Sequence, residues 1–386
     1  MKTLNLETIL PELVDIRHCL HRIPEIGLSE TKTSAFIGEK LRSWGYEVHA
    51  GIATTGLVAS LQRGDPDNAV GFRADFDALP MTEDTGLPYS SEHPGIMHAC
   101  GHDGHTTMLL GAAWALSQDV SFKGTVHFIF QPAEENLGGA GLMIRDGLFE
   151  RFPCRRIYAL HNLPGLKAGV FATRAGAIAA SIDVVTITIK GKGGHGALPE
   201  TTIDPVVVGA SIVVALQTLV ARNVSPHQAA VVTVGSFHAG SAANIIPETS
   251  VLEVSMRAMD PTVRSELQKR VEEVAILQAK SFNAEVRFQW EVGYPATLNH
   301  KLEAEIAAKS IIKHFGEDAF VDLTNPMMFS EDFAFMLEAV PGAYILLGNG
   351  DSSGLHSTTY EFNDEILASG VAFFCNLARD LCSVRE

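Results

Sequence analysis

Long apolar runs, basic side chains and cysteine are all scarce in this chain. No stretch of about 18 consecutive apolar residues stands out, so no membrane span is expected. Lys and Arg number 29 against 45 Asp and Glu, for a net charge of −16. Proteins that grip polyanions are normally basic, so nucleic acid is not an expected partner. There are five cysteines in 386 residues: Cys19, Cys100, Cys154, Cys375 and Cys382. An odd, unpatterned set excludes a disulfide framework. Residues 1–18 read MKTLNLETILPELVDIRH, and Glu7, Glu12 and Asp15 interrupt their apolar positions. That segment lacks the apolar core of a signal peptide, and a cytoplasmic enzyme is the expectation. Internal repeats and low-complexity tracts are also missing. What is there is a 46% hydrophobic, 19% charged composition, which suits a folded chain and not a disordered one. The length implies two domains.

Helical spacing over 7–22, 30–44 and 103–118 alternates with β-rich apolar runs at 56–61, 69–74, 125–131 and 156–161. Asp103 is the expected N-cap of the third helix. This alternation predicts an α/β fold with a mixed, mostly parallel sheet flanked by helices. Residues 182–292 read differently, as strand 182–190, helix 204–222, strands 229–237 and 251–259, helix 261–281 and strand 284–292. The order β-α-β-β-α-β predicts an inserted ferredoxin-like domain. The α/β pattern resumes near residue 300, with a buried strand at 344–349 and a closing helix at 363–383. The expected division is 1–181 and 297–386 for the larger domain and 182–296 for the insert.

The densest chemical signal is His98-Ala99-Cys100-Gly101-His102-Asp103-Gly104-His105. Imidazole and thiolate are ligands of borderline divalent cations. Spacing does not decide which of the four bind, although Cys100 and His102, two apart, share a face in extended backbone. A second signal, Gln131-Pro132-Ala133-Glu134-Glu135, follows a strand directly, where open α/β sheets place their sites. One carboxylate suits a cation and its neighbour suits a general base. Read alone it is equally the acidic first turn of a helix. His161 ends the strand at 156–161, and His356 follows the strand at 344–349. Such donors on one sheet edge suit two cations about 3.5–4 Å apart. In the insert, Gly193-Gly194-His195-Gly196 reads as a flexible turn, Asn244 precedes Ile245-Ile246-Pro247, and Arg257 ends a strand. Spacing alone leaves these three as ordinary surface residues.

Taken together, HRIPEIG (21–27), RADFDALP (73–80), HACGHDGHT (98–106), QPAEE (131–135), HN (161–162), GKGGHGALP (191–199), NIIP (244–247), SEDF (330–333) and LHS (355–357) resemble the M20 family of metallopeptidases, in its amidohydrolase branch. The resemblance spans almost the whole chain. It implies a two-metal exopeptidase-like catalytic domain with a lid or dimerisation domain inserted. It implies that Cys100, His102, Glu135, His161 and His356 hold two divalent ions, of which Mn2+, Zn2+, Ni2+ and Co2+ are all compatible. It makes Glu134 the general base, His195 an oxyanion donor reaching a partner subunit's site, and Asn244 and Arg257 the carboxylate-binding pair. The implied reaction is hydrolysis of N-acyl-L-amino acids, hippurate-like, by a homodimer. A dipeptide-cleaving metallo-exopeptidase and a non-catalytic binding homologue are the alternatives. Against the family pattern stand Asn136 and Leu137 in place of glycine, Thr359 in place of proline and Phe329 in place of a small residue. These departures bear on acyl specificity.

Overall fold

The computed structural model describes residues 6–65 and 67–382. The first five residues of the N-terminal reading and position 383 of the closing helix lie outside them. The chain forms two compact units, one of Met1–Ile178, Leu298–Asn325 and Asp332–Glu386, the other of Ala179–Thr297 and Pro326–Glu331.

The first unit is built on an eight-stranded sheet in the order Val48–Ile52, Gly56–Arg63, Gly124–Gln131, Ala69–Asp75, Arg156–Pro164, Gly342–Gly350, Phe171–Thr173, Phe320–Asp322. Its four middle strands, from Gly124–Gln131 to Gly342–Gly350, run parallel. The flanking pairings Val48–Ile52 with Gly56–Arg63, Gly56–Arg63 with Gly124–Gln131, and Gly342–Gly350 with Phe171–Thr173 are antiparallel. Ala69–Asp75 and Gly124–Gln131 are buried along their whole length, as expected for strands covered on both faces. The helix His102–Gln118 is buried on nearly every side, between the helices Leu10–Arg22 and Leu367–Leu381. The parallel strands end at Asp75, Gln131 and Pro164, so their carboxyl ends deliver the candidate residues to one edge.

Asp103 does not cap its helix, contrary to expectation. The cap is Gly101, at φ +90°, and His102 is the first helical residue. Asp103 turns instead to Arg17 and His21 on the helix Leu10–Arg22. Ion pairs from a distant element outcompete the local cap.

The second unit has a four-stranded antiparallel sheet, ordered Ala230–Ala239, Thr249–Ala258, Asp183–Lys190, Glu285–Val292. The helices Pro205–Asn223 and Pro261–Ser281 cover one face. Asp204 and Asp260 cap them, each accepting from the backbone two residues on, which is the N-cap geometry. Pro205–Asn223 is long and apolar enough to cross a membrane by length and composition. Its Val208, Ile212, Leu216 and Leu219 nevertheless pack into the core of this unit, and their 3–4 residue spacing is that of one helix face.

Candidate metal centre

The peptide after the Ala69–Asp75 strand carries Asp77, and the loop before the His102–Gln118 helix carries Cys100. Gly101 makes the close approach possible. A Cβ there would lie 2.3 Å from Asn162 Nδ2 and 2.6 Å from the Tyr360 hydroxyl. Only glycine combines that clearance with a left-handed φ without strain. Ala133 (φ +55°) and His356 (φ +61°) take the same left-handed region without being glycine. Such conformations cost about 1–3 kcal/mol each and concentrate at functional sites. Here they aim Glu134 and the His356 imidazole.

Four of the five ligand candidates are buried or nearly so, and His356 is half-exposed. Cys100 Sγ lies 3.4 Å from His161 Nε2. Glu135 Oε1 lies 3.9 Å from His102 Nε2 and 3.4 Å from His356 Nε2. The ligand atoms of Cys100, His102 and Glu135 all fall within 4.8 Å of one another. The outer nitrogens fix the tautomers. His161 Nδ1 donates to the Asn162 carbonyl at 2.7 Å, and His102 Nδ1 donates to the Asp77 carbonyl at 2.9 Å. Each Nε2 is left to face the cluster, as metal-binding histidines require. His102 Nε2 and Glu135 Oε1 are buried and have no hydrogen-bond partner among the described residues. Buried polar atoms are rarely left so, and a cation is the partner this donor set suits.

Asp75, His102, His105 and His161 form a second close group, yet His105 is already committed. Its Nδ1 donates to Asp75 Oδ1 at 2.7 Å, and its Nε2 accepts from the Asn162 backbone N–H at 3.0 Å. Asp75 also accepts from Arg73 Nη1 at 2.7 Å. Of the four residues in the His-rich segment, Cys100 and His102 therefore point to the cluster and His105 braces it. His98 is buried apart from them, with neither ring nitrogen hydrogen-bonded among the described residues, and burial pushes its pKa down to about 4. Burial and the neighbouring His105 hold His161 well below the ordinary imidazole value, and a neutral ring is the ligand form. For His102 burial opposes the charge, but Asp75 and Cys100 outweigh it and raise the value well above the ordinary one.

Glu134 is 6% exposed. Its Oε1 accepts from the Asp332 backbone N–H at 3.4 Å. Asp332 is itself fixed by Arg73 Nη2 at 3.0 Å, by Gln131 Nε2 at 2.8 Å and by the Ala140 N–H at 2.9 Å. Glu135 is held separately, its N–H donating to Asp77 Oδ2 at 3.0 Å. The Glu134 carboxylate and the Glu135 backbone are thus held by different partners.

Sequence reasoning gave no role to Asp75, Asp77, Asn162 or Asp332. Asn162 Nδ2 donates to the Cys100 carbonyl at 2.6 Å and its Oδ1 accepts from the Tyr360 hydroxyl at 2.8 Å. The available signal was Asp75-x-Asp77 at the end of a strand, two carboxylates at the period that shares a face.

His195, Asn244 and Arg257 belong to the second unit. Gly194–His195 pairs with Ile245–Ile246, so the expected flexible turn is a two-strand bridge. The Gly196 N–H donates to the Asn244 carbonyl at 2.8 Å. His195 is exposed, and its Nδ1 accepts from the Ala197 N–H at 3.0 Å, which leaves Nε2 as a donor. Arg257 Nη1 donates to the Met328 carbonyl at 2.7 Å and to Ser330 Oγ at 2.9 Å. Leu137 is 52% exposed at the end of the short helix Glu134–Leu137.

Residues 71–380 match the model of a family described as peptidase family M20/M25/M40. The chain is 40% identical over 377 residues to a hippurate hydrolase of Campylobacter jejuni, covering 96% of this chain and 98% of that protein. It is 35% identical over 385 residues to an N-acetyl-L-cysteine deacetylase of Bacillus subtilis, covering 99% and 91%. A crystal structure of a Bacillus subtilis protein, described as a dinuclear metal binding peptidase from the M20 family, superposes with a TM-score of 0.86 at 30% identity, covering 97% of this chain and 99% of that one.

Proposed function

Because the chain belongs to peptidase family M20/M25/M40, we propose that it hydrolyses the amide bond of small N-acyl-L-amino acids, releasing a carboxylic acid and a free amino acid, with two divalent cations held by Cys100, His102, Glu135, His161 and His356. The observation that carries this reading is the pair of buried atoms His102 Nε2 and Glu135 Oε1, without a hydrogen-bond partner among the described residues, set among Cys100, His161 and His356 and next in sequence to Glu134. Imidazole, thiolate and carboxylate together accept Mn2+, Zn2+, Ni2+ or Co2+.

When bound, a cation pair would polarise a carbonyl and lower the pKa of water towards neutrality. Glu134 takes the proton of the attacking water and passes it to the departing amine. The bond from the Asp332 N–H orients that carboxylate. His195 Nε2–H donates to the developing oxyanion. Asn244 and Arg257 hold the substrate carboxylate, a fork suited to Arg, and so fix which amide is presented.

A cytoplasmic homodimer is part of the proposal, with His195 serving the partner's site. Exposed Val206, Val207 and Val214 on the helix Pro205–Asn223, and Val231 and Phe237 on the edge strand Ala230–Ala239, support an interface on the second unit, since an apolar unpaired edge invites pairing.

The test is a substrate panel with Mn2+, Zn2+, Ni2+ or Co2+ added. Hippurate and other N-acyl amino acids are expected to be cleaved and free dipeptides left intact. Cleavage of dipeptides alone makes the chain an exopeptidase, and no turnover on any substrate makes it a binding homologue.

A further inference from the structure

The chemistry above gives no task to Arg17 and His21, although both are buried in the helix Leu10–Arg22. The Arg17 guanidinium forks Asp364, with Nε 2.6 Å from Oδ1 and Nη2 2.9 Å from Oδ2. Its remaining nitrogen, Nη1, reaches Asp103 Oδ2 at 3.5 Å. His21 Nδ1 donates to the same Asp103 oxygen at 2.8 Å, and its Nε2 faces Glu83 Oε1 at 3.3 Å.

Each anchored carboxylate sits beside a ligand-bearing segment. Asp103 directly follows His102, and Asp364 lies on the stretch of chain after His356. The loop around Glu83 closes the frame. Glu83 Oε2 accepts from the Ser91 N–H at 2.7 Å, the Asp84 N–H donates to the Thr358 carbonyl at 2.8 Å, and the Tyr89 hydroxyl donates to Glu361 at 3.2 Å. The Arg17 guanidinium lies over the Tyr89 ring at 4.5 Å, and Tyr89 stacks on His18, which also meets Asp364 at 2.8 Å. A charge-assisted fork has a defined geometry that a point charge lacks.

We propose that Arg17 and His21 are positioning residues for the cation pair, a crossbar that sets the separation of the His102 and His356 segments before any cation binds. This rests on the cation-binding reading above. Partners behind first ligands shift metal affinity by about 10–100-fold when removed, and a preformed site spares the cost of ordering.

The experiment compares Arg17→Lys, which keeps the charge but loses the fork, and His21→Asn, with Leu377→Ala as a control for loss of stability elsewhere in the first unit. Mn2+ affinity and stoichiometry are measured by titration of the metal-free protein, and kcat at saturating Mn2+. The crossbar predicts about 10–100-fold weaker binding in Arg17→Lys and His21→Asn, near wild-type kcat at saturation, and wild-type affinity in Leu377→Ala. Wild-type affinity in a folded His21→Asn overturns it, as does an equal loss in Leu377→Ala. If Arg17→Lys does not fold, His21→Asn decides alone. A wild-type protein that binds no Mn2+ overturns the underlying cation reading, a result distinct from variants that bind as wild type does.

Discussion

His102 Nε2 and Glu135 Oε1 face each other 3.9 Å apart, both buried and neither with a hydrogen-bond partner among the described residues. One opens the helix His102–Gln118 and the other lies inside the short helix Glu134–Leu137. An orphaned buried polar atom costs about 1–3 kcal/mol. Two aimed at one point describe a place for a cation.

Cys100 Sγ lies 3.4 Å from His161 Nε2 and within 4.8 Å of the His102 and Glu135 ligand atoms. Replacing Cys100 with Ala should lower the bound metal from two towards one per chain, read by elemental analysis after gel filtration. Full occupancy would remove Cys100 from the ligand set.

At Gly101 a methyl group would meet Asn162 and Tyr360 well inside van der Waals contact, on top of a left-handed φ. Gly101→Ala should destabilise the protein by roughly 2 kcal/mol or more and lower metal occupancy with it. Denaturant titration checks the first and elemental analysis the second. An unchanged denaturation midpoint would show that the loop relaxes freely.

Glu30 is fully buried, and burial pushes its carboxyl up to about 7, even though the Thr55 hydroxyl and the Ala133 N–H donate to it. The folded state therefore holds this proton where the unfolded chain has released it. Between pH 4.5, the ordinary value, and about 7 the folded state binds more protons, so the Glu30 contribution to stability falls as pH rises. Glu30→Gln should flatten that slope, in denaturation measured across this range. Parallel curves for the two proteins would contradict it.

The large features of the fold were legible because they are periodic. The β-α-β-β-α-β order of residues 182–292 follows from strands of alternating burial such as Asp183–Lys190 and from two long helices with Asp-Pro starts. Three-residue strands such as Phe171–Thr173 and Phe320–Asp322 are too short to show a period. They exist because a neighbour pairs with them. In the site, residue type and position after a strand suggested the His-rich segment 98–105, the Glu134–Glu135 pair, His161 and His356, and the family resemblance narrowed these to Cys100, His102, Glu135, His161 and His356. What spacing could not do was separate His102 from His105, three residues apart on one helix. That is decided by Asp75 and Asn162, which occupy both His105 nitrogens. Asp103 was misread for the same reason. Its partners stand 82 and 86 residues away, and a local rule cannot see them.

The most direct measurement is turnover and metal content of Glu134→Gln on an N-acyl amino acid that the wild type cleaves. Glutamine keeps the shape and removes the proton acceptor. Two cations per chain with kcat lower by about 10²-fold or more is the expected result. A near wild-type rate at full metal occupancy would contradict the assignment of Glu134 as base, and with it the mechanism proposed for this site.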